Sequence, residues 1–296
     1  MSSVKYWIEA ARPKTLTAAL VPIWVATALA AGLGFKIQIW ISVLALLSSF
    51  FIQIGTNLVN DYYDFKKGAD KSDRLGPRRV TQSGLISEKA VKIGAFASFA
   101  IAVAFAVPLV WQGGWVIVTI GVASLLAGYA YTGGPFPLAY RGMGEVFVLI
   151  FFGLVAVGGL FFLQTGRFDK LSLIAGAQVG LLATVLIAVN NLRDISGDKR
   201  AGKRTVAVRL GMQGARIEIA LLCLLPFLIG VYWTFEQLRW ATIIPMVALP
   251  IARSLSRKVS TTEPSAEYNR FLGQAALLHL VFGALLGGAF FIYARH

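Results

Sequence analysis

The chain contains a single cysteine, Cys223, in 296 residues, which excludes an internal disulfide and any cysteine-built metal site. Histidine is almost as scarce, with two residues. His279 lies well inside an apolar run, where a neutral imidazole hydrogen-bonded to a neighbouring helix is the expected role, and it is left out of the candidate site. Acidic residues number 14 against 28 Lys plus Arg, and charged residues of both signs make up only 14% of the chain. With 57% hydrophobic residues and a mean hydropathy of +0.69, the composition lies outside the range of soluble domains. The bilayer is the solvent of this chain. The net charge of +14 is accounted for mostly by loops that meet anionic headgroups, and no nucleic-acid motif is visible.

Charge-free stretches near the spanning length of about 20 residues cover residues 15–35, 37–60, 146–166, 171–192 and 271–294. Each reads as one helix. Residues 93–140 are too long for a single helix and are interrupted by Gln112, Gly113 and Gly114, which predicts two spans, the second ending near Tyr131. Residues 219–235 form a marginal span, and 240–252 a short one carrying Pro245 and Pro250. The expectation is an all-α polytopic membrane protein of about nine transmembrane helices in one bundle, a single domain over residues 1–296. The start, through Glu9 and Pro13, lacks a cleavage pattern and reads as a retained interfacial helix.

Short cytoplasmic loops collect Lys and Arg. With the N-terminus inside, 23 of the 28 basic residues fall on inner segments. The segments 59–89 and 193–216 then become cytoplasmic loops, which suits a bacterial inner membrane.

Those segments carry the chain's unusual feature. Asn57, Asp61 and Asp64 stand in NLVNDYYD, and Asn190, Asp194 and Asp198 in NNLRDISGD. Carboxylates at membrane depth are costly and by default functional. Positions i, i+4 and i+7 of a helix share one stripe, so the first three residues share a face; the second three do so if the helix continues past Gly197. The Asn-x3-Asp spacing occurs twice, four spans apart, suggesting two similar four-helix halves that bring the stripes together. Facing carboxylates without His or Cys suit a hard cation such as Mg²⁺. Mg²⁺ usually completes its shell with substrate phosphates, so the arrangement predicts a phosphorylated or diphosphorylated ligand. Lys199, Lys203 and Arg204 after the second cluster, and Lys66, Lys67, Arg78 and Arg79 after the first, are placed to meet phosphate oxygens; each also serves as topology charge.

The pair NLVNDYYDFKKGAD and NNLRDISGDKRAGKRT resembles the two Asp-rich motifs of the intramembrane UbiA-type prenyltransferase superfamily. Together with ARPKTL at 11–16, GPRRVTQSGLIS at 76–87 and YTGGPFPLAYRGMGE at 131–145, the chain is most similar to the branch acting on 1,4-dihydroxy-2-naphthoate in menaquinone synthesis. The resemblance implies a nine-helix bundle with a central cavity. It implies a polyprenyl diphosphate held by Mg²⁺ between the motifs, with Asp61, Asp64, Asp194, Asp198 and Asn57 toward the metal and Asp70 as a further first-motif position. Asn190, Lys199, Arg204, Arg12, Lys67 and Arg78 would face the diphosphate, with Lys14 beside Arg12, and Tyr131 would stand at the reaction cavity. The product would be a demethylmenaquinol, formed with loss of CO2 and diphosphate. Glu145 either caps its helix or orients the aromatic acceptor. Two alternatives stand beside this reading. One is a prenyltransferase acting on 4-hydroxybenzoate or homogentisate. The other is a transporter of an anionic solute, which explains acidic stripes at one membrane face poorly.

Overall fold

The computed structural model describes residues 3–68 and 75–294. Among them there is no strand, as expected where lipid leaves no partner for an open backbone. The principal helices are α1 (Ser3–Ala11), α2 (Pro13–Gly32), α3 (Ile39–Lys66), α4 (Glu88–Ala130), α5 (Gly144–Thr165), α6 (Lys170–Arg193), α7 (Ile195–Arg200), α8 (Val206–Ile229), α9 (Leu249–Thr261) and α10 (Tyr268–Tyr293). Local chemistry sets several starts. Ser87, Asp169 and Thr205 cap α4, α6 and α8, each accepting a hydrogen bond from a backbone N–H of the first turn.

Seven segments of the described residues are long and apolar enough to cross a membrane, where nine were expected. The difference arises at two places. Helix α4 runs for 43 residues but departs from helical geometry at Gly114, with φ 59° and ψ −146°, a conformation open to glycine. The rings of Phe96 and Tyr129 are 6.3 Å apart, although a straight helix would separate them by about 50 Å. The chain therefore doubles back at Gly114, within the 112–114 interruption. Trp111 and Trp115 flank this turn and are each 82% exposed, the habit of indoles at a headgroup boundary. The second place is residues 239–261, where Arg239–Ile243, a 3-10 turn at Ile244–Ala248 and α9 follow one another. Pro245 and Pro250 each remove a helical N–H there, and α9 carries Arg253, Arg257 and Lys258.

Close backbone packing positions the motif helices. Gly176 and Gly180, four apart on α6, face Gly153 of α5. A Cβ on Gly153 would lie 2.4 Å from the Gly176 carbonyl oxygen and 2.7 Å from the Gly180 Cα, so α5 and α6 meet backbone to backbone. At this contact α5 widens into a π-helical stretch, Leu149–Val155. On α3, a Cβ at Gly55 would strike the Phe99 ring of α4 at 2.5 Å. The unbroken continuation of α6 through Gly197 is not what forms. Helix α6 ends at Arg193, and Asp194 (φ −96°, ψ 10°) is the junction to α7. The four-residue rhythm nevertheless survives, since the Asp194 N–H donates to Asn190 O at 3.1 Å and the Asp198 N–H to Asp194 O at 2.8 Å.

Candidate active site

A cavity of about 1020 Å³ opens between α2, α3, α4, α5 and α6 and the segments around residues 75–80 and 264–272. Its polar end is lined by Arg12, Asn57, Asp61, Asp64, Lys67, Arg78, Arg79, Asn190, Arg193, Asp194, Asp198 and Lys203. The other end is apolar and aromatic, with Phe147, Phe151, Phe152, Ala156, Ala183 and Ile187. Tyr131 also lines the cavity. Of the residues singled out in sequence, Lys66, Lys199 and Arg204 are exposed and absent from the lining; Lys66 pairs with Glu88 at 3.3 Å, and Arg204 donates its backbone N–H to Tyr140 O at 2.9 Å. Asp70 and the side chain of Lys14 lie outside the described residues.

The two acidic clusters meet through one ammonium group. Lys203 Nζ is 3.5 Å from Asp64 Oδ1 and 3.5 Å from Asp198 Oδ1. Asp64 also accepts from Tyr140 Oη at 2.9 Å and from Arg79 Nη2 at 3.5 Å. Asp61 accepts the Thr81 backbone N–H at 3.4 Å and lies 4.0 Å from Arg79 Nε. Arg193 grips Asp194 with two donors, Nε to Oδ1 at 2.9 Å and Nη2 to Oδ2 at 2.6 Å. Nη2 also reaches Asn190 Oδ1 at 2.7 Å, and Nη1 reaches Asn269 Oδ1 at 2.8 Å. Asn57 is tied to the N-terminal segment, its Nδ2 donating to Ala11 O and Thr15 Oγ1, both at 3.0 Å. Lys67 donates to Thr132 O at 2.8 Å and stands 4.3 Å from the centre of the Tyr140 ring.

Burial governs the electrostatics. Asp61 and Asp64 are 2% and 3% exposed. The Asp198 carboxyl is pushed up to about 6, by burial first and against the pull of Lys203. Burial pushes the Lys67 ammonium down. Burial, and then the Glu145 carboxylate, push the Tyr131 phenol up.

The donor set suits a hard divalent ion. It consists of carboxylate and amide oxygens, and Asp61 Oδ1 is buried without a hydrogen-bond donor among the described residues. An ammonium already bridges the two clusters at a cation's position. Among the described residues no three His, Cys, Asp or Glu side chains gather closely enough to hold an ion by themselves.

Tyr140 and Arg193 were not singled out in the sequence, and Arg79 and Lys203 were noted only as neighbouring bases. A signal existed for each. Arg193 stands inside NNLRDISGD, and Tyr140 inside the 131–145 segment on which the resemblance rests.

Residues 19–281 match the model of the UbiA prenyltransferase family. A 1,4-dihydroxy-2-naphthoate octaprenyltransferase of Haemophilus influenzae is 34% identical, over 95% of this chain and 94% of that protein. A protein of the same description from Mycobacterium tuberculosis is 34% identical over 98% of both. Among solved structures, the apo form of a UbiA homolog from Aeropyrum pernix K1 aligns with a TM-score of 0.69 at 15% identity, over 93% of this chain and 97% of that one. A UbiA homolog from Archaeoglobus fulgidus bound to GPP and Mg²⁺ aligns with a TM-score of 0.63 at 18% identity, over 95% and 99% of the two chains.

Proposed function

This chain belongs to the UbiA prenyltransferase family, and we propose that it is an integral membrane enzyme transferring a polyprenyl group from polyprenyl diphosphate to 1,4-dihydroxy-2-naphthoate. CO2 and diphosphate leave, and a demethylmenaquinol, a menaquinone precursor, remains. The observation that carries the reading is Lys203, whose ammonium joins Asp64 and Asp198 across the mouth of a cavity with one polar and one apolar end.

Asp61, Asp64, Asp194 and Asp198, with Asn57, would hold Mg²⁺ in this proposal. When bound, the ion supplies the charge that stabilises the departing diphosphate. Arg12, Lys67, Arg78, Arg79 and Lys203 line the same end and take phosphate oxygens; Asn190, fixed by Arg193, stands beside them. Lys199 and Arg204, exposed and off the cavity wall, serve as topology charge. The allylic C–O bond breaks with its electron pair on the diphosphate. The electron-rich ring carbon bearing the carboxylate attacks the allylic carbon, and that carboxylate leaves as CO2, returning its bonding pair to the ring. No side-chain nucleophile is required. Tyr131 and the Phe147, Phe151 and Phe152 rings wall the reacting carbon off from water, and the apolar end houses the prenyl chain. In this proposal the polar end, with Asp61 and Asp64 near the end of α3, faces the cytoplasm of a bacterial cell with the N-terminus inside, a topology supported by the excess of Lys and Arg on the segments that would then be inner.

The test is mass spectrometry of products from detergent-purified protein given 1,4-dihydroxy-2-naphthoate, a polyprenyl diphosphate and Mg²⁺, with an EDTA control. A decarboxylated, prenylated naphthalenediol that disappears with EDTA is expected. Prenylation of 4-hydroxybenzoate or homogentisate in its place would overturn the acceptor.

A further inference from the structure

Glu145 is an expensive residue with no part in the reaction as described above. It is 5% exposed at the start of α5, and its Oε2 is buried without a partner among the described residues. Such a group calls for an explanation. Its Oε1 accepts a hydrogen bond of 2.6 Å from Nδ2 of Asn191, and Asn191 lines the cavity. A carboxylate can only accept, so the amide nitrogen of Asn191 is committed to Glu145. Asn191 Oδ1 takes no part in that bond. Asn190 and Asp194 engage Arg193; Asn191, on the same helix, does not share in that contact. It lines the cavity alongside Ile187, Phe147 and Tyr131, where the wall turns from polar to aromatic. The same corner keeps Tyr131 close, since a Cβ on Gly144 would lie 3.1 Å from its Oη.

We propose that Asn191 is the acceptor-recognising residue of this cavity, its Oδ1 accepting a hydrogen bond from a ring hydroxyl of the aromatic substrate, and that Glu145 is the positioning residue that fixes the amide for that task. The inference rests on the prenyl-transfer reading for the identity of the acceptor. It adds a residue outside both acidic motifs and gives the buried carboxylate a purpose. A site built to take a hydroxyl rejects an analogue that lacks one, because its own polar atom is then left desolvated and unpaired. The aromatic walls supply affinity without regard to hydroxyls, so discrimination falls to Asn191.

The experiment measures equilibrium binding of 1,4-dihydroxy-2-naphthoate and of 2-naphthoate, which lacks both hydroxyls, to the full-length protein in detergent under anaerobic conditions. Wild type, Asn191→Leu, Glu145→Leu and Glu145→Gln are compared. Wild type is expected to favour the hydroxylated ligand by roughly 10- to 100-fold. Asn191→Leu and Glu145→Leu should lose that ratio while still binding 2-naphthoate, and Glu145→Gln, whose Oε1 still accepts from the amide, should retain most of it. Adding Glu145→Leu to Asn191→Leu should change nothing further, as required of a residue acting through another. Retained binding of 2-naphthoate certifies that each variant is folded. The inference is overturned if Asn191→Leu keeps the wild-type ratio, if the two Leu substitutions add, or if wild type does not discriminate. Absence of prenylated product from wild type, with the binding ratios as expected, would overturn the reaction and leave the recognition site standing.

Discussion

Arg193 offers the sharpest test of how the second acidic cluster is held. Its side chain is fully buried and makes four hydrogen bonds, two to Asp194, one to Asn190 and one to Asn269. The Arg193→Met substitution keeps the length and apolar stem but takes from Asp194, whose side chain is only 15% exposed, the two-donor contact with the Arg193 guanidinium. Removing one partner of a buried ion pair costs about 3–5 kcal/mol, whereas removing both is far milder. At about 2–4 °C per kcal/mol for larger domains, Arg193→Met should lower the midpoint of thermal unfolding in detergent by roughly 10 °C. The double variant Arg193→Met, Asp194→Asn should recover most of that loss, because the carboxylate that Arg193 held is gone with it. The assay is thermal unfolding without substrate or Mg²⁺, so a catalytic contribution of Asp194 does not enter. An Arg193→Met protein melting within about 2 °C of wild type, or a double variant no better than the single one, would refute the account.

Asp61→Asn, which replaces a buried carboxylate by an isosteric amide, should lower turnover by two orders of magnitude or more with the melting temperature nearly kept; retained Mg²⁺-dependent activity in the product assay would count against the metal role. Asp198, raised to about 6 from an ordinary 3.8, binds its proton more tightly folded than unfolded. Its contribution to stability therefore grows as pH falls from about 6 toward 4, while proton and metal compete for the same oxygens. The Mg²⁺ concentration for half-maximal activity should rise as pH drops below 6, approaching tenfold per unit, without unfolding; a flat requirement between pH 7 and 5 would contradict this. Gly153→Ala should lower the melting temperature and weaken activity, since its Cβ would meet the Gly176 carbonyl oxygen at 2.4 Å and overpacking costs about 1–3 kcal/mol. Gly273→Ala on α10, with nothing within 4 Å of the added carbon, should be neutral or stabilising, and equal melting shifts in the two variants would defeat the close-packing argument.

Much of this protein follows from the sequence alone. Scarce charge and long apolar runs dictate helices in lipid, because a spanning helix pairs its backbone within its own segment and needs only local chain. The break between Gln112 and Gly114 is local in the same sense, a glycine free to take positive φ. The Asp-rich motifs and their likeness to a prenyltransferase family are strings of neighbouring residues, so they too are readable without a structure. Tertiary structure decided what those residues meet. Helix α6 stops at Arg193 and not beyond Gly197, and Arg193 turns to Asn269, 76 positions away. Tyr140 reaches Asp64 across the same separation. Lys203 rather than Lys199 closes the acidic pair, and Asn191 rather than Asn190 answers to Glu145. Between such neighbours in sequence, composition and spacing offer no preference. The choice is made by the direction a side chain takes once glycine contacts such as Gly153 against Gly176 and Gly180 have fixed how the helices lie, and those contacts join residues that only packing brings together.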